Sequence, residues 1–281
     1  TLTTYASPVI GKLTVDQITL AHIVKILEPI WETKTETASR LRGRIEKVLA
    51  WANVRGYRSG DNPAAWKGNL DAVLPKPSKV KGGAHFKALP IADMPAFMND
   101  LRQREGMAAR ALEFTILTAA RSGEVRGATW DEIDLDNGVW TIPADRMKGG
   151  QEHRVPLTRQ AVDLLRALPR FAESDLVFPA ARGGKLSDMS LTSVVRRMNY
   201  GVTVHGFRST FRDWCAERTA YANEVIEKSL AHSIGDKVER AYRRGDLFEK
   251  RRRLMTDWAA FCDGEAASTG GDVVQLSEAQ A

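Results

Sequence analysis

Four side chains that can bind and transfer a phosphate group lie within residues 205–242. His205 and Arg208 stand three residues apart, His232 follows a further predicted helix, and Tyr242 comes ten residues later. A guanidinium donates two parallel hydrogen bonds to a phosphate, and imidazoles titrate close enough to neutral pH to move protons. Cationic neighbours favour the oxyanion of a tyrosine, which is one of the side chains that form covalent intermediates. The set therefore predicts transfer of a phosphoryl group onto Tyr242.

Each of these residues also has an ordinary structural role when it is taken alone. A tyrosine is roughly twenty times more often a core or surface residue than a nucleophile. An imidazole and a guanidinium three residues apart share one helical face, which by itself indicates little. A histidine at a helix end is commonly a cap, because a cationic ring suits the helix dipole. The prediction depends on the ordered set and not on any single member.

The order of six residues along the chain resembles the tyrosine recombinases, in particular the phage and genomic-island integrases. One arginine lies in Thr-Ala-Ala-Arg-Ser-Gly-Glu at 118–124, and one lysine precedes His-Arg-Val-Pro-Leu at 153–157. The resemblance extends over roughly residues 12 to 262. The residues that match the family's catalytic positions are Arg121, Lys148, His205, Arg208, His232 and Tyr242.

The resemblance implies a shared clamp around the phosphate that is cut. Arg121 and Arg208 would bind it and stabilise the extra charge of its transition state. His205 and His232 would hydrogen-bond the same phosphate, and His205 would also take the tyrosine proton. Glu124 is expected to hold Arg121 in place.

The resemblance also implies the covalent steps. Tyr242 would attack the phosphate to give a 3′-phosphotyrosine and a free 5′ hydroxyl, with Lys148 at a hairpin tip protonating the departing oxygen. We expect His153 only to support that hairpin. A 5′ hydroxyl from a partner duplex would reverse the step, which is recombination and needs no metal, ATP or other cofactor. The implied role is the insertion or excision of a mobile element, such as a phage genome or a genomic island.

Two other functions remain open at this point. A type IB topoisomerase uses similar chemistry to relax supercoils, although the helical N-terminal region argues against it. A DNA-binding regulator with an inert site is the second alternative. Strand transfer between duplexes would separate the first from a recombinase, and a covalent adduct on DNA would exclude the second.

Composition and charge favour an intracellular DNA-binding protein. The 281 residues can form two domains, and the net charge of +6 favours a polyanionic partner, although many basic proteins bind no nucleic acid. Cys215 and Cys262 have no metal-ligand spacing and suit a reducing compartment. No apolar run reaches the ~20 residues of a membrane span, and no signal peptide heads the chain. We expect a protein of the bacterial cytoplasm, associated with the nucleoid and not with a membrane.

The resemblance further implies how the protein assembles. Its partners would be double-stranded DNA attachment sites, bound by a homo-tetramer on synapsed DNA, with a monomer in the absence of DNA and an accessory DNA-bending protein. Relatives of this type usually carry a further N-terminal domain for accessory DNA sites, and we expect that domain to be absent here.

The predicted fold is mainly α with a small antiparallel β-sheet, divided into four segments. Residues 1–74 would form an all-helical core-type DNA-binding domain, and residues 75–88 a basic linker. Residues 89–263 would form an α+β catalytic domain of the tyrosine-recombinase type, and 264–281 a disordered tail. The basic residues expected to contact DNA phosphates in the first two segments are Arg40, Arg42, Arg44, Lys47, Lys76, Lys79 and Lys81.

Within the catalytic segment, periodicity and turn signals predict the elements that carry the site. The apolar stretch 107–120 predicts a buried helix that ends at Arg121. Two turn signals between residues 133 and 157 predict three short antiparallel strands. The last helix, 247–261, would bury one side and present a basic run on the opposite one. The buried side would be shared by Leu254, Trp258 and Phe261, and the basic run is Arg251, Arg252 and Arg253.

Overall fold

The computed structural model describes residues 1–80, 87–232 and 245–265 and divides the chain into two compact units, Thr1–Ala84 and His85–Ala281. The described residues are mainly helical, with one small three-stranded antiparallel sheet, so the predicted fold class is confirmed. The boundary between the units falls within the predicted linker. None of the helices in the described ranges is long and apolar enough to cross a membrane.

The first unit is built on two antiparallel helices that share an apolar core. Residues such as Ile23, Leu27, Leu41, Ile45 and Leu49 recur at three- and four-residue intervals and are all buried in this core. The first half of the predicted linker also belongs to this unit, since Val80 packs against the core. The helices of this unit are α1 (Ser7–Ile10), α2 (Leu20–Trp31), α3 (Thr35–Val54) and α4 (Pro77–Val80), with a π-helical turn at Leu2–Ala6 and a 3₁₀ turn at Leu70–Ala72.

The second unit is organised around one central helix. Nine of the twelve residues of α6 (Met107–Thr118) are buried, which is why its sequence is apolar on all sides. Helices pack around it on several sides and bury their own apolar faces against it. The other helices of this unit are α5 (Met94–Arg102), α7 (Ser122–Val125), α8 (Arg159–Arg166), α9 (Asp188–Met198), α10 (Gly206–Arg218), α11 (Asn223–Ser229) and α12 (Phe248–Cys262), with 3₁₀ turns at Ile91–Asp93, Trp130–Glu132 and Ala144–Arg146.

The sheet has the order β1 (Ile133–Asp134), β2 (Val139–Ile142) and β3 (His153–Pro156), with all neighbours antiparallel. The tight turn before β2 needs a positive φ at Gly138 (62°). The second connection, residues 143–152, carries Lys148, and His153 pairs with Ile142 where β3 begins. The three predicted strands are therefore present.

Helix α12 lies against β3, α11 and α6, and it departs from the predicted pattern. Leu254 and Trp258 are buried as expected, but Arg251 is only 1% exposed. Its guanidinium donates to the carbonyls of Asp246 at 2.8 Å and Arg154 at 2.6 Å. The expectation that Arg251 faces outward is wrong, because α12 is covered on a second side by β3 and by the chain that leads into the helix.

Candidate active site

Arg121 follows the central helix closely, and both its backbone amide and its guanidinium are held by hydrogen bonds. Helix α6 ends at Thr118, and the left-handed backbone of Ala119 (φ 49°) then redirects the chain. The buried carboxylate of Glu124 accepts hydrogen bonds from the Arg121 amide at 2.8 Å and from its Nη1 at 2.9 Å. The other nitrogen, Nη2, donates to the carbonyl of Ala231 at 3.2 Å. Glu124 therefore holds the arginine as the sequence suggested.

Arg208 lies in the first turn of α10 and is 5% exposed. Its Nη1 donates to the carbonyl of Ala119, and its Nη2 donates to the carbonyl of Leu230 at 2.6 Å. Burial, and after it the charge of Arg121, lowers the pKa of Arg208 to about 10. Within the described ranges its buried Nε has no hydrogen-bond partner. Two guanidiniums thus meet at the consecutive carbonyls of residues 230 and 231.

His232 touches Arg208 through Nε2, which lies 3.2 Å from the Arg208 Nη2. Because a guanidinium nitrogen only donates, Nε2 must be the acceptor, and the proton of a neutral ring is then on Nδ1. Nδ1 lies 2.7 Å from Glu227 Oε2, which accepts that proton's hydrogen bond. Burial raises the pKa of Glu227, but hydrogen bonds from Arg212 and His232 outweigh burial and leave the pKa lowered. Glu227 therefore orients His232, a role that no sequence pattern had indicated.

His205 caps the start of α10 and presents an exposed side chain. Its pKa is lowered by partial burial and then by the charges of Arg208, Arg121 and His232. All three charges act on one imidazole, so His205 belongs to the same cluster. Gly206 next to it allows the close approach of the Lys87 backbone, since a Cβ there would lie 2.2 Å from the Lys87 carbonyl oxygen.

His153 also lies in this electrostatic environment, which goes beyond the hairpin support expected of it. Burial lowers its pKa to about 4, with further lowering by Arg251, Arg121 and Arg208 and an opposing effect of Asp246. The only sequence signal for this placement was its position in the matched motif after Lys148. The same two arginines therefore lower the pKa of both His153 and His205.

The contacts described above involve four of the six matched residues, and the other two are Lys148 and Tyr242. Lys148 is exposed at the hairpin tip and forms no hydrogen bond or ion pair with any described residue. Tyr242 lies outside the described residues. In the parts of the chain that the structure describes, no group of three or more His, Cys, Asp and Glu side chains could hold a metal ion.

The basic residues predicted to contact DNA fall into three groups. Arg42 is turned inward on α3, where it pairs with Glu46 at 2.8 Å and donates to the carbonyl of Ala64 at 3.0 Å. Lys81 lies outside the described residues. The exposed members are Arg40, which pairs with Glu36, and Arg44, Lys47, Lys76 and Lys79.

Trp51, which was not among the predicted DNA-binding residues, lies on the exposed face of α3 that carries Arg44 and Lys47. Trp51 is 56% exposed, and the Arg55 guanidinium lies 5.8 Å from its ring centroid. The sequence pattern that indicates this face is the spacing of Arg44, Lys47, Trp51 and Arg55. They follow one another by three or four residues, which places all four on one side of a helix.

Comparison with known proteins gives consistent matches to both units. The family described as Phage integrase central domain matches residues 1–69, and the Phage integrase family matches residues 88–247. The integrase of Enterobacteria phage P4 is 30% identical, over 92% of this chain and 62% of its own length. Prophage integrase IntZ of Escherichia coli (strain K12) is 32% identical, over 94% of this chain and 64% of its own length. The chain thus spans less than two thirds of these relatives.

Among solved structures, a lambda integrase fragment (75–356), crystallised as a dimer bound to a COC′ core site, aligns with a TM-score of 0.61. The alignment covers 87% of this chain and 86% of that chain at 17% identity. At this identity the likeness shows that the two chains share a fold.

Proposed function

The chain belongs to the phage integrase family, and on this premise we propose that it is a site-specific DNA recombinase that cuts and rejoins strands through a 3′-phosphotyrosine intermediate. Its role would be to integrate or excise a mobile element. Double-stranded attachment sites are the proposed substrate, and the proposed location is the bacterial cytoplasm, at the nucleoid.

The observation that carries the proposal is the meeting of Arg121 and Arg208 at one loop. Both guanidiniums hydrogen-bond consecutive carbonyls, at Ala231 and Leu230, and each lies within the other's field. The Arg121 guanidinium pairs with Glu124. The buried Arg208 guanidinium instead contacts two carbonyls and one imidazole, and no carboxylate of the described residues. A bound anion would stabilise this buried charge. The unsatisfied Nε of Arg208 is a further donor for such an anion. A phosphate, with its several acceptor oxygens, suits this set of donors.

The proposed reaction needs only side chains of this chain. The Tyr242 oxygen attacks the phosphorus while its proton passes to His205, and the bond to the 5′ oxygen breaks as Lys148 donates a proton to it. Arg121 and Arg208 stabilise the charge that develops on the phosphate oxygens. The phosphotyrosine conserves the energy of the phosphodiester, so a 5′ hydroxyl from a second duplex can reverse the step.

His232 has a supporting part in this scheme, because Glu227 fixes its ring and its Nε2 then fixes Arg208. A guanidinium that is already oriented loses little freedom when the phosphate binds. We therefore propose that His232 positions Arg208 before DNA binds, and that its Nε2 carries a proton when His232 contacts the phosphate.

Exchange between two duplexes cuts four strands, which favours a tetramer on synapsed sites, assembled from monomers on DNA and assisted by a DNA-bending protein. We further propose that residues 1–74 form a DNA-binding domain, residues 75–88 a basic linker that crosses the duplex, residues 89–263 the catalytic domain and residues 264–281 a tail. The exposed basic face of α3, which includes Arg40, Arg44 and Lys47, would contact phosphates without reading sequence.

A nicked suicide substrate tests the nucleophile. Tyr242→Phe should bind the duplex as tightly as the parent and form no covalent adduct, because only the attacking oxygen is removed. Tyr200→Phe is the matched control and should form the adduct at the parental rate. Cleavage by the Tyr242→Phe protein would show that another residue attacks. Transfer of the trapped strand to a second duplex would then distinguish a recombinase from a topoisomerase.

A further inference from the structure

A second group of cations lies near Gly127, three residues after Glu124. A Cβ built on Gly127 would lie 2.8 Å from the Nζ of Lys185 and 3.0 Å from the Nη2 of Arg146. Since both distances start from one point, the two nitrogens are at most about 5.8 Å apart. The pKa of Lys185 is lowered by burial and then by the charges of Arg126 and Arg146. We call Gly127, Arg126, Arg146 and Lys185 the Gly127 cluster.

Both arginines of the Gly127 cluster are held in place by the surrounding fold. Arg146 donates to the carboxylate of Glu132 and to the carbonyl of Glu124. Arg126 donates to the carbonyl of Leu186 at 2.8 Å and pairs with Asp188. These contacts orient both guanidiniums in the absence of DNA. The carboxylates of Glu132 and Asp188 pair with the two arginines, so Lys185 is the third cation beside two paired ones.

Lys185 is the cation of the cluster that lacks a partner in the described residues. It lies on an exposed loop before α9 and makes neither a hydrogen bond nor an ion pair with any of them. An exposed lysine is normally free to move away from like charges, yet the Nζ of this one lies within about 5.8 Å of the Arg146 Nη2. Asp188, which opposes the lowering of the Lys185 pKa, is already paired with Arg126. Such an arrangement is expected where an anion is to be bound by the exposed ammonium group.

Gly127 lets the tips of Lys185 and Arg146 lie close to the chain. Its φ is not in the left-handed region, so the backbone conformation is one that other residues adopt. The absence of a side chain matters instead because a Cβ would press on the tips of Lys185 and Arg146. Gly127→Ala would therefore displace the exposed ammonium group of Lys185 without removing a charge.

Glu124 connects the Gly127 cluster to the candidate active site. Its carboxylate holds Arg121, while its carbonyl accepts from Arg146. Two anion-binding groups are thus fixed to one residue of the four-residue helix α7. DNA carries regularly spaced phosphates along each strand, so a strand bound at one group presents further phosphates to its surroundings.

We propose that Lys185 and Arg146, whose tips meet at Gly127, form a second phosphate site for an uncut phosphodiester of the DNA backbone near the one that is cleaved. This site rests on the proposed function, since it assumes a DNA substrate. It contributes affinity and register, and it takes no part in the chemistry.

Salt-dependent binding tests this site without requiring cleavage. In the Tyr242→Phe background, affinity for an attachment-site duplex is measured from about 50 to 300 mM salt, and each phosphate contact contributes about 0.9 to the slope of log affinity against log salt. Lys185→Gln should reduce the slope by about 0.9. Arg182→Gln removes one charge from the same exposed loop and should leave the slope unchanged. Equal slopes for Lys185→Gln and the parent overturn the proposal.

Three further measurements identify the anion and test the position of Lys185. Gly127→Ala keeps every charge and should still lower the slope, because its methyl group displaces the tip of Lys185 from Arg146; an unchanged slope would contradict the assigned geometry. Replacing single phosphates by neutral methylphosphonates should reveal one position at which Lys185→Gln has no further effect. In the third measurement, inorganic phosphate could stabilise the parent but not Lys185→Gln, with the same DNA slope for both proteins. That result would show that the site binds a free anion and would overturn the DNA assignment.

Failure of this site and failure of the proposed function give different results. If Lys185→Gln reduces the slope but the parent protein forms no covalent adduct, the second phosphate site is supported and the recombinase reaction is contradicted. If the parent forms the adduct but Lys185→Gln leaves the slope unchanged, the recombinase reaction is supported and the second phosphate site is contradicted.

Discussion

The pKa of His153 should report whether Arg121 and Arg208 converge as the structure shows. Burial and three arginines lower the pKa to about 4 from the ordinary value of 6.5, against the effect of Asp246. A phosphate bound between the arginines would cancel part of their field, so DNA should raise this pKa. Arg208→Gln should also raise it, because one of the three charges is then missing.

The same shift makes the catalytic unit sensitive to acid. The folded pKa of His153 lies below the unfolded one, so between about pH 6.5 and pH 4 the unfolded chain binds more protons. Its contribution to the free energy of unfolding is therefore intact above about pH 6.5 and is lost as the pH falls toward 4. Linkage gives a loss of about 2 kcal/mol between pH 7.5 and pH 5. The full shift, at about 1.4 kcal/mol for each pKa unit, sets an upper limit of about 3.5 kcal/mol.

Two measurements check this prediction. NMR titration of the five histidines, with His153→Gln identifying the resonance, should give one imidazole that titrates near pH 4. Urea unfolding at pH 7.5 and pH 5 should show that His153→Gln loses about 2 kcal/mol less than the parent on acidification. His22→Gln, in the other unit, controls for the loss of an imidazole. Titration of His153 near 6.5 would mean that the arginines do not converge on it, and would refute the site geometry.

Two further predictions concern residues that hold the site in place. Glu227→Gln should bind DNA normally but slow adduct formation by at least about tenfold, because the charge that orients His232 is lost; a rate within twofold of the parent would contradict the role of Glu227. Arg251→Leu should lower the free energy of unfolding by about 2 to 4 kcal/mol, because the carbonyls of Asp246 and Arg154 lose a buried donor. Arg253→Leu, at an exposed position of α12, should cost less than about 1 kcal/mol in the same denaturation assay, and equal losses for the two variants would be inconsistent with the buried contact.

Much of the local structure could be predicted because it depends on neighbours along the chain. The apolar run of α6, the glycine turn before β2 and the start of α3 near Thr35 all follow from short-range rules of helix and hairpin formation. Glu124 lies three residues after Arg121, and this spacing alone brings the carboxylate back to the arginine amide.

Arg251 and His153 show where such rules stop. Periodicity correctly assigned Leu254 and Trp258 to the buried side of α12, but it describes one helix in isolation. It does not reveal that β3 covers a second side and surrounds Arg251 with carbonyl acceptors. His153 likewise occupied a plausible place in a hairpin, while its pKa is set by arginines on other elements.

The sequence by itself determined which chemical groups are available and in what order, and that order was enough to indicate phosphoryl transfer. Only the tertiary structure decided that Arg121 would meet a carbonyl 110 residues away and Arg208 one 89 residues away. The reason is that the spacing of residues fixes positions within an element, whereas distances between elements are fixed by how their buried faces pack around α6.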